Sequence, residues 1–297
     1  KICEHNRFKI YAIIPGIALD KKNQTSHSFI QFFDGKKGEY HYFQYGVDDF
    51  HASDKKFEVS IGECHFSPKE LHLDIHQDDK SIEGVLKFKN LVPWKGTILS
   101  PGIMGIFSYL PMQTKHAIVS MNHEVNGELS INNIKHSFEK GSKGYIEKDW
   151  GSSFPSSWVW MQSNHFSESK LSFVFSVARI PFLGRKFVGF FCVIWYKGSF
   201  YIFATHTQAK LRLVRVRENK VHIMGEDRQY RFEIHAIQGE ATDMKAPSLG
   251  EMRGHCFESM KSTIQIHLVD KNDENLIIDD RGKYAGLEIM DNGDLQI

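Results

Sequence analysis

Apolar and polar residues alternate with a period of two along most of this chain. Leu71, Leu73 and Ile75 interleave with His72, Asp74 and His76; Tyr230, Phe232, Ile234 and Ala236 interleave with Arg231, Glu233 and His235. Ile264, Ile266 and Leu268 repeat the pattern near the end, and 85–90 carries it as well. Because successive side chains of a strand point to opposite faces, each such segment reads as β-strand with one buried face. His27–Phe33 and Tyr40–Tyr45 flank Asp34-Gly35-Lys36-Lys37-Gly38, a hairpin signature. Segments 171–178, 187–196 and 200–207 are three apolar strands in succession, with a turn at 196–200 between the last two. Residues 270–274 and 291–293 read as turns. Helical periodicity is nearly absent, and the best short helix candidate is 102–110, bracketed by Pro101 and Pro111.

Many antiparallel strands at this spacing predict an all-β sandwich or barrel. About twenty strands are more than one unit ordinarily holds. The expected organisation is therefore two consecutive antiparallel β-units with little helix. The polar, glycine-containing stretch 133–143 supplies the boundary, giving 1–138 and 139–297.

Composition refines this picture. The chain has 297 residues and a formal net charge of +1, so nothing points to nucleic acid or an anionic surface as partner. Its 23 Phe and 10 Tyr suit half-buried sheet surfaces. Four cysteines, Cys3, Cys64, Cys192 and Cys256, lie far apart without a CxxC pair. A reduced, cytoplasmic protein without disulfide or zinc framework is the simplest expectation. No apolar run reaches the length of a transmembrane helix. The chain begins at Lys1 rather than methionine, which leaves room for a preceding segment.

Candidate chemistry concentrates in Gly144–Phe166, which holds three of the five tryptophans. In strand phase, Tyr145, Glu147 and Asp149 share one face, and Ile146, Lys148 and Trp150 the other. Two partly buried carboxylates two residues apart repel, which raises the pKa of one of them; on an exposed face, Lys148 or another cation would simply screen the pair. Further on, Trp158, Trp160, Gln162, Asn164 and Phe166 form a face graded from indole to amide. Such a face suits either a pocket for an apolar ligand with one polar end or a core strand whose amides bond to backbone. Gly151–Ser157 reads as a turn, and no G-x-S-x-G elbow is present. His72, Asp74 and His76 share a strand face but lack further ligands at metal-site spacing, and hydrogen-bonded histidines are expected at His116 and His123. His255 and Cys256 are strand neighbours that point to opposite faces.

Glu147-Lys148-Asp149-Trp150-Gly151, followed by Phe154-Pro155, Trp158-x-Trp160-x-Gln162 and Asn164, resembles the signature of the tocopherol cyclase family. Gly198–Phe203 is similar to the family's G-K-x-Y-x-F strand, and Met244–Pro247 with Gly254–Glu258 is similar to its late R-A-P loop and the strand after it. The resemblance covers about 145–290. It implies two lipocalin-like β-units with a ligand cavity, related to carotenoid 1,2-hydratases and lipocalin-like Diels–Alderases. It also implies a reaction in which a proton adds to the alkene of a prenylated hydroquinone and the phenolic oxygen captures the cation, closing a chroman ring. No redox cofactor or metal is expected. On this resemblance Glu147 is the first candidate acid, with Asp149 as its partner or alternative. Trp150, Trp158 and Trp160 would wall the cavity, and Gln162 and Asn164 would hold the ring hydroxyls. The plant pattern reads E-K-N-W-G, so Asp149 replaces an amide, which favours Glu147 as the acid. Ser163 and His165 also depart from it, and His165 is either a local acid or a polar core residue. The ligand expected is an apolar small molecule, with peripheral membrane contact a further expectation for a lipid-soluble substrate. Two other readings stay open: a non-catalytic lipocalin-like carrier, and a related isoprenoid hydratase or cyclase.

Overall fold

The computed structural model describes all residues except 7, 8, 21–24, 78, 99 and 183. Twelve strands form one antiparallel sheet: β1 (Ile2–Cys3), β2 (Ile10–Ala18), β3 (His27–Asp34), β4 (Glu39–Tyr45), β5 (Phe50–Ala52), β6 (Val59–Ile61), β7 (Cys64–Phe66), β8 (Glu70–Gln77), β9 (Lys80–Lys89), β10 (Thr114–Ile131), β11 (Ile134–Phe138) and β12 (Lys143–Gly151). Ten form a second: β13 (Trp158–Ser163), β14 (Leu171–Phe182), β15 (Arg185–Tyr196), β16 (Ser199–Ala204), β17 (Lys210–Arg217), β18 (Lys220–Glu226), β19 (Tyr230–Ile237), β20 (Thr242–Ser248), β21 (Glu251–Asp270) and β22 (Asn275–Met290). The all-β expectation holds, and the segments of strict alternation, such as Leu71–Ile75 and Tyr230–Ala236, lie within strands. The 102–110 segment is not an α-helix; only a 3-10 turn forms over Gly105–Tyr109. The prolines that bracket it leave too few residues for an α-helix to repay its nucleation.

Two compact units emerge, and both are discontinuous in sequence. The first comprises Lys1–Pro93, Asn122–Ile146 and Lys245–His255; the second comprises Trp94–Met121, Glu147–Met244 and Cys256–Ile297. Periodicity along the chain predicts one contiguous division at 138/139. Strands β10, β12, β20 and β21 each contribute residues to both units, and such sharing leaves no mark on local periodicity.

In the first unit, buried Tyr11, Phe32, Leu73, Ile75, Leu86 and Val125 belong to one core. The β3–β4 hairpin turns as its sequence demands. Asp34 Oδ1 accepts the backbone N–H groups of Lys36 and Lys37 at 3.0 Å each, and Gly38 takes the positive φ of 76°.

In the second unit, β13 lies between β14 and β22. Val159 pairs with Val177 and Met161 with Phe175, and all four are buried in the core. The opposite faces of these strands are different in kind. Trp158 pairs with Ala178, which pairs with Gly189; Trp160 pairs with Ser176, which pairs with Phe191. Small residues beside the indoles leave volume that the side chains themselves do not fill. The runs are apolar on both faces because one face packs a core and the other lines a cavity.

Candidate functional site

The cavity encloses about 1000 Å³, its open mouth included, and every residue lining it belongs to the second unit. Its walls are mostly apolar and aromatic: Phe107, Phe154, Trp158, Trp160, Phe187 and Phe191 contribute rings. Into this lining project His116, Glu147, Asp149, His206 and Glu288. Concave, apolar and supplied with a few converging polar groups, it has the character of a small-molecule site.

Strand phase explains the acidic pair. Glu147 and Asp149 leave the same face of β12 and meet His116 of β10. Asp149 Oδ1 lies 2.5 Å from His116 Nδ1, and Glu147 Oε2 lies 3.3 Å from Nε2. Burial alone would lower the His116 pKa. The charges of Asp149 and Glu147, with the hydrogen bond to Asp149, outweigh it and raise the imidazole to about 9. His116 is thus an imidazolium at neutral pH, with Phe191's ring centroid 4.9 Å from its own. These three groups could contact a metal ion. However, the two carboxylates engage opposite ring nitrogens, and metal binding needs a deprotonated nitrogen. The arrangement suits a held imidazolium better.

Glu288 is the acid that patterning missed. It sits on β22 directly across from Trp160, and Trp158 Nε1 donates to its Oε2 at 2.6 Å. Burial raises its pKa; the hydrogen bonds from Trp158 and Cys256 pull the other way, Asp149's charge raises it and His116's lowers it. Burial prevails, so the pKa of this cavity carboxyl lies above the ordinary carboxylate value. His206 also lines the cavity, and burial lowers its pKa, leaving the imidazole neutral. In sequence, Glu288 is one acidic residue in an alternating strand, and His116 is one histidine among 16. Only the register that sets Glu288 beside Trp160, and the crossing that sets His116 between the carboxylates, singles them out.

The turn at Gly151–Ser157 is part of the lining. Ser152 N donates to Gln113 O at 2.9 Å, and Thr114 Oγ1 donates to Ser153 O. A Cβ on Gly151, at φ 155°, would lie 2.1 Å from Gln113 O, so the close approach requires glycine. Phe154 and Pro155 then reach the cavity, and Phe154 packs edge-on against Trp158 at 5.5 Å.

Of the residues singled out from sequence, Glu147, Asp149, Trp158 and Trp160 line the cavity together. Trp160 Nε1 is buried with no hydrogen-bond partner among the described residues. Trp150 does not line the cavity; it is 43% exposed, with Lys148 Nζ 5.2 Å from its ring. Gln162, Asn164 and His165 are buried but lie outside the lining. The strand ends at Ser163, so its alternation does not extend to Asn164 and Phe166. Phe166 instead joins the core with Val159 and Met161. His165 caps this exit: its carbonyl accepts Lys283 N at 3.0 Å and its N–H donates to Ser163 Oγ at 3.2 Å. All four cysteines are buried and unbridged.

The fold and site define the chain as an all-β protein with an aromatic-walled cavity and an internal ionisable cluster. A family model described as tocopherol cyclase-like matches residues 72–290, most of the chain, and the chain belongs to that family. Two solved structures share its fold at low identity. Kievitone hydratase from Nectria haematococca matches with a TM-score of 0.52 and 12% identity, over 97% of this chain and 86% of that one. CghA, crystallised with Sch210972, matches with a TM-score of 0.59 and 7% identity, over 98% and 87%. The lipocalin-like β architecture implied by the motifs is the one found. No curated protein sequence matches the chain. Among the described residues, no helix is long and apolar enough to cross a membrane.

Proposed function

We propose that this protein is an isoprenoid-modifying enzyme that works by proton transfer in the second unit's cavity, and that its reaction is closure of a chroman ring on a prenylated quinol. Family membership supports the general class. The observation that carries catalysis over mere carriage is the ionisable cluster inside an apolar cavity. A carrier needs apolar walls and a polar mouth; it gains nothing from burying Glu288 and charging His116 beside the ligand.

Glu288 is the proton donor in this reading, because burial raises the pKa of its carboxyl in the cavity lining, where an alkene can lie against it. The proton adds to the alkene carbon that leaves a tertiary cation, and the indole faces of Trp158 and Trp160 stabilise that charge. The phenolic oxygen forms the new C–O bond, and its proton returns to the cluster, so the reaction is a net isomerisation. Glu147 and Asp149, which the family motif puts forward as acids, hold His116 as imidazolium; the cation stabilises the Glu288 carboxylate while it exists. The unpaired Trp160 Nε1 is a donor for a quinol oxygen.

The test is turnover of prenylated hydroquinones in D2O. A chroman product carrying one non-exchangeable deuterium beside the new ether carbon supports the reading. Binding of the quinol with no product over many half-lives of the bound complex leaves only the carrier.

A further inference from the structure

On the outer face of the second unit's sheet, away from the cavity lining, histidines and carboxylates converge. His222 of β18 pairs in register with His235 of β19, and Glu233 lies two residues from His235 on the same face. The alternate residues Val221, Ile223, Phe232 and Ile234 are buried, which fixes the outward direction of the three. A single carboxylate oxygen, Glu233 Oε1, lies 2.7 Å from His222 Nε2 and 2.9 Å from His235 Nε2. The two imidazoles stack with centroids 4.1 Å apart and planes 18° from parallel. Two nitrogens of ligand type and one carboxylate oxygen thus lie within 4.8 Å of one another.

We infer that His222, Glu233 and His235 form a surface binding site for a divalent ion of the zinc class. Two imidazoles and a carboxylate are a recurrent donor set for such ions. At Zn–N distances of about 2.0–2.1 Å, tetrahedral neighbours stand about 3.3 Å apart. The two Glu233 Oε1–Nε2 separations, 2.7 and 2.9 Å, need to open by about 0.4–0.6 Å, and the ion replaces the two Nε2 protons now shared with Glu233. A support row stands beside it. His267 of β21 lies across from Glu233, and Asp279 of β22 lies across from His267, with its Oδ1 3.4 Å from His267 Nδ1. His267 is placed as a fourth ligand or an orienting neighbour, its ring centroid 6.5 Å from that of His235. An ion here ties β18 to β19 and braces the sheet whose other face is the core.

The experiment is calorimetric titration of the full chain with Zn2+, alongside the visible spectrum of the Co2+ form and thermal melts with and without Zn2+. About one ion per chain, a raised melting temperature, and loss of both in His222→Asn/His235→Asn and in Glu233→Gln are expected. His267→Ala lowers affinity about tenfold. His116→Gln leaves binding intact, which separates this site from the cavity cluster. No binding at micromolar Zn2+ overturns the inference. So does binding that survives both outer-face variants, each checked by circular dichroism, or binding that His116→Gln abolishes. None of these outcomes depends on turnover in the cavity.

Discussion

Trp158 Nε1 donates a 2.6 Å hydrogen bond to Glu288 Oε2, which joins the first tryptophan of the β13 strand to the acid paired in register with Trp160. The bond fixes where Glu288 points, and it favours the carboxylate form of a group whose pKa burial raises. Glu288→Gln preserves shape and removes the transferable proton. Turnover should fall about 10²–10⁴-fold, the usual contribution of a general acid, while binding of quinol persists. Trp158→Phe removes the donor that stabilises the carboxylate, so the Glu288 pKa rises. Activity depends on the protonated form and declines as pH passes that pKa; the declining limb therefore moves to higher pH in Trp158→Phe. A pH–rate profile for both proteins checks the sign. Unchanged turnover in Glu288→Gln, with turnover lost in Glu147→Gln, would return the acid's role to Glu147.

His116 gives a second pH signature, in stability. Its folded pKa is about 9, above the ordinary 6.5. A group raised on folding contributes fully below its unfolded pKa, and the contribution is lost as pH rises through the folded one. The protein should therefore weaken between about pH 6.5 and 9 by an amount that His116→Gln does not show. The difference is bounded at roughly 3 kcal/mol, from about 1.4 kcal/mol per pKa unit. Urea melts of both proteins at pH 6 and pH 9.5 measure it; parallel losses in both would mean that His116 is not held as a cation.

How much of this was legible in the sequence follows from range of interaction. Alternation in Leu71–Ile75 and Tyr230–Ala236 reports a two-residue period, which is local, so the strands were readable. The phase of β12 put Glu147 and Asp149 on one face, and that too is local. What they face is not: His116 reaches them from β10, and Glu288 reaches Trp158 from β22, 130 residues along the chain. The end of β13 at Ser163 is set by where its partners β14 and β22 stop pairing, so the phase carries Gln162, which lies outside the lining, and is lost before Asn164 and His165. Trp150 was grouped with the other indoles by motif, although its alternation set it opposite Glu147 and Asp149, and the structure keeps it there.

Gly286 offers a packing test of the wall. It lies across from Gln162, and a Cβ there would stand 2.9 Å from Trp160 Cζ3 and 3.4 Å from Glu258 Oε1. Gly286→Ala should push the indole toward the cavity, costing about 1–3 kcal/mol in overpacking. It should also weaken ligand affinity more than Ser172→Ala, a change at a buried position outside the lining. Urea melts and a ligand titration on both variants separate the two effects; an affinity equal to that of the parent would place the indole edge outside the bound ligand.

Met161 and Trp160 are adjacent on β13 and face opposite ways, which allows core and cavity to be separated by two substitutions. Met161 is fully buried and paired with Phe175. Met161→Ala should cost 2–5 kcal/mol of stability, in the range for deleting a buried side chain, and change turnover little in the fraction that remains folded. Trp160 is different. Its indole N–H is buried with no partner among the described residues, a state that costs about 1–3 kcal/mol, so Trp160→Phe removes a penalty as well as contact area. Stability should change by less than in Met161→Ala, whereas affinity for the quinol should fall, because the donor that a substrate oxygen would satisfy is gone. Measuring denaturant midpoints and quinol affinity for both variants gives a crossed pattern if β13 divides core from cavity. Trp160→Phe as destabilising as Met161→Ala, with affinity untouched, would make Trp160 a core residue and remove it from the site.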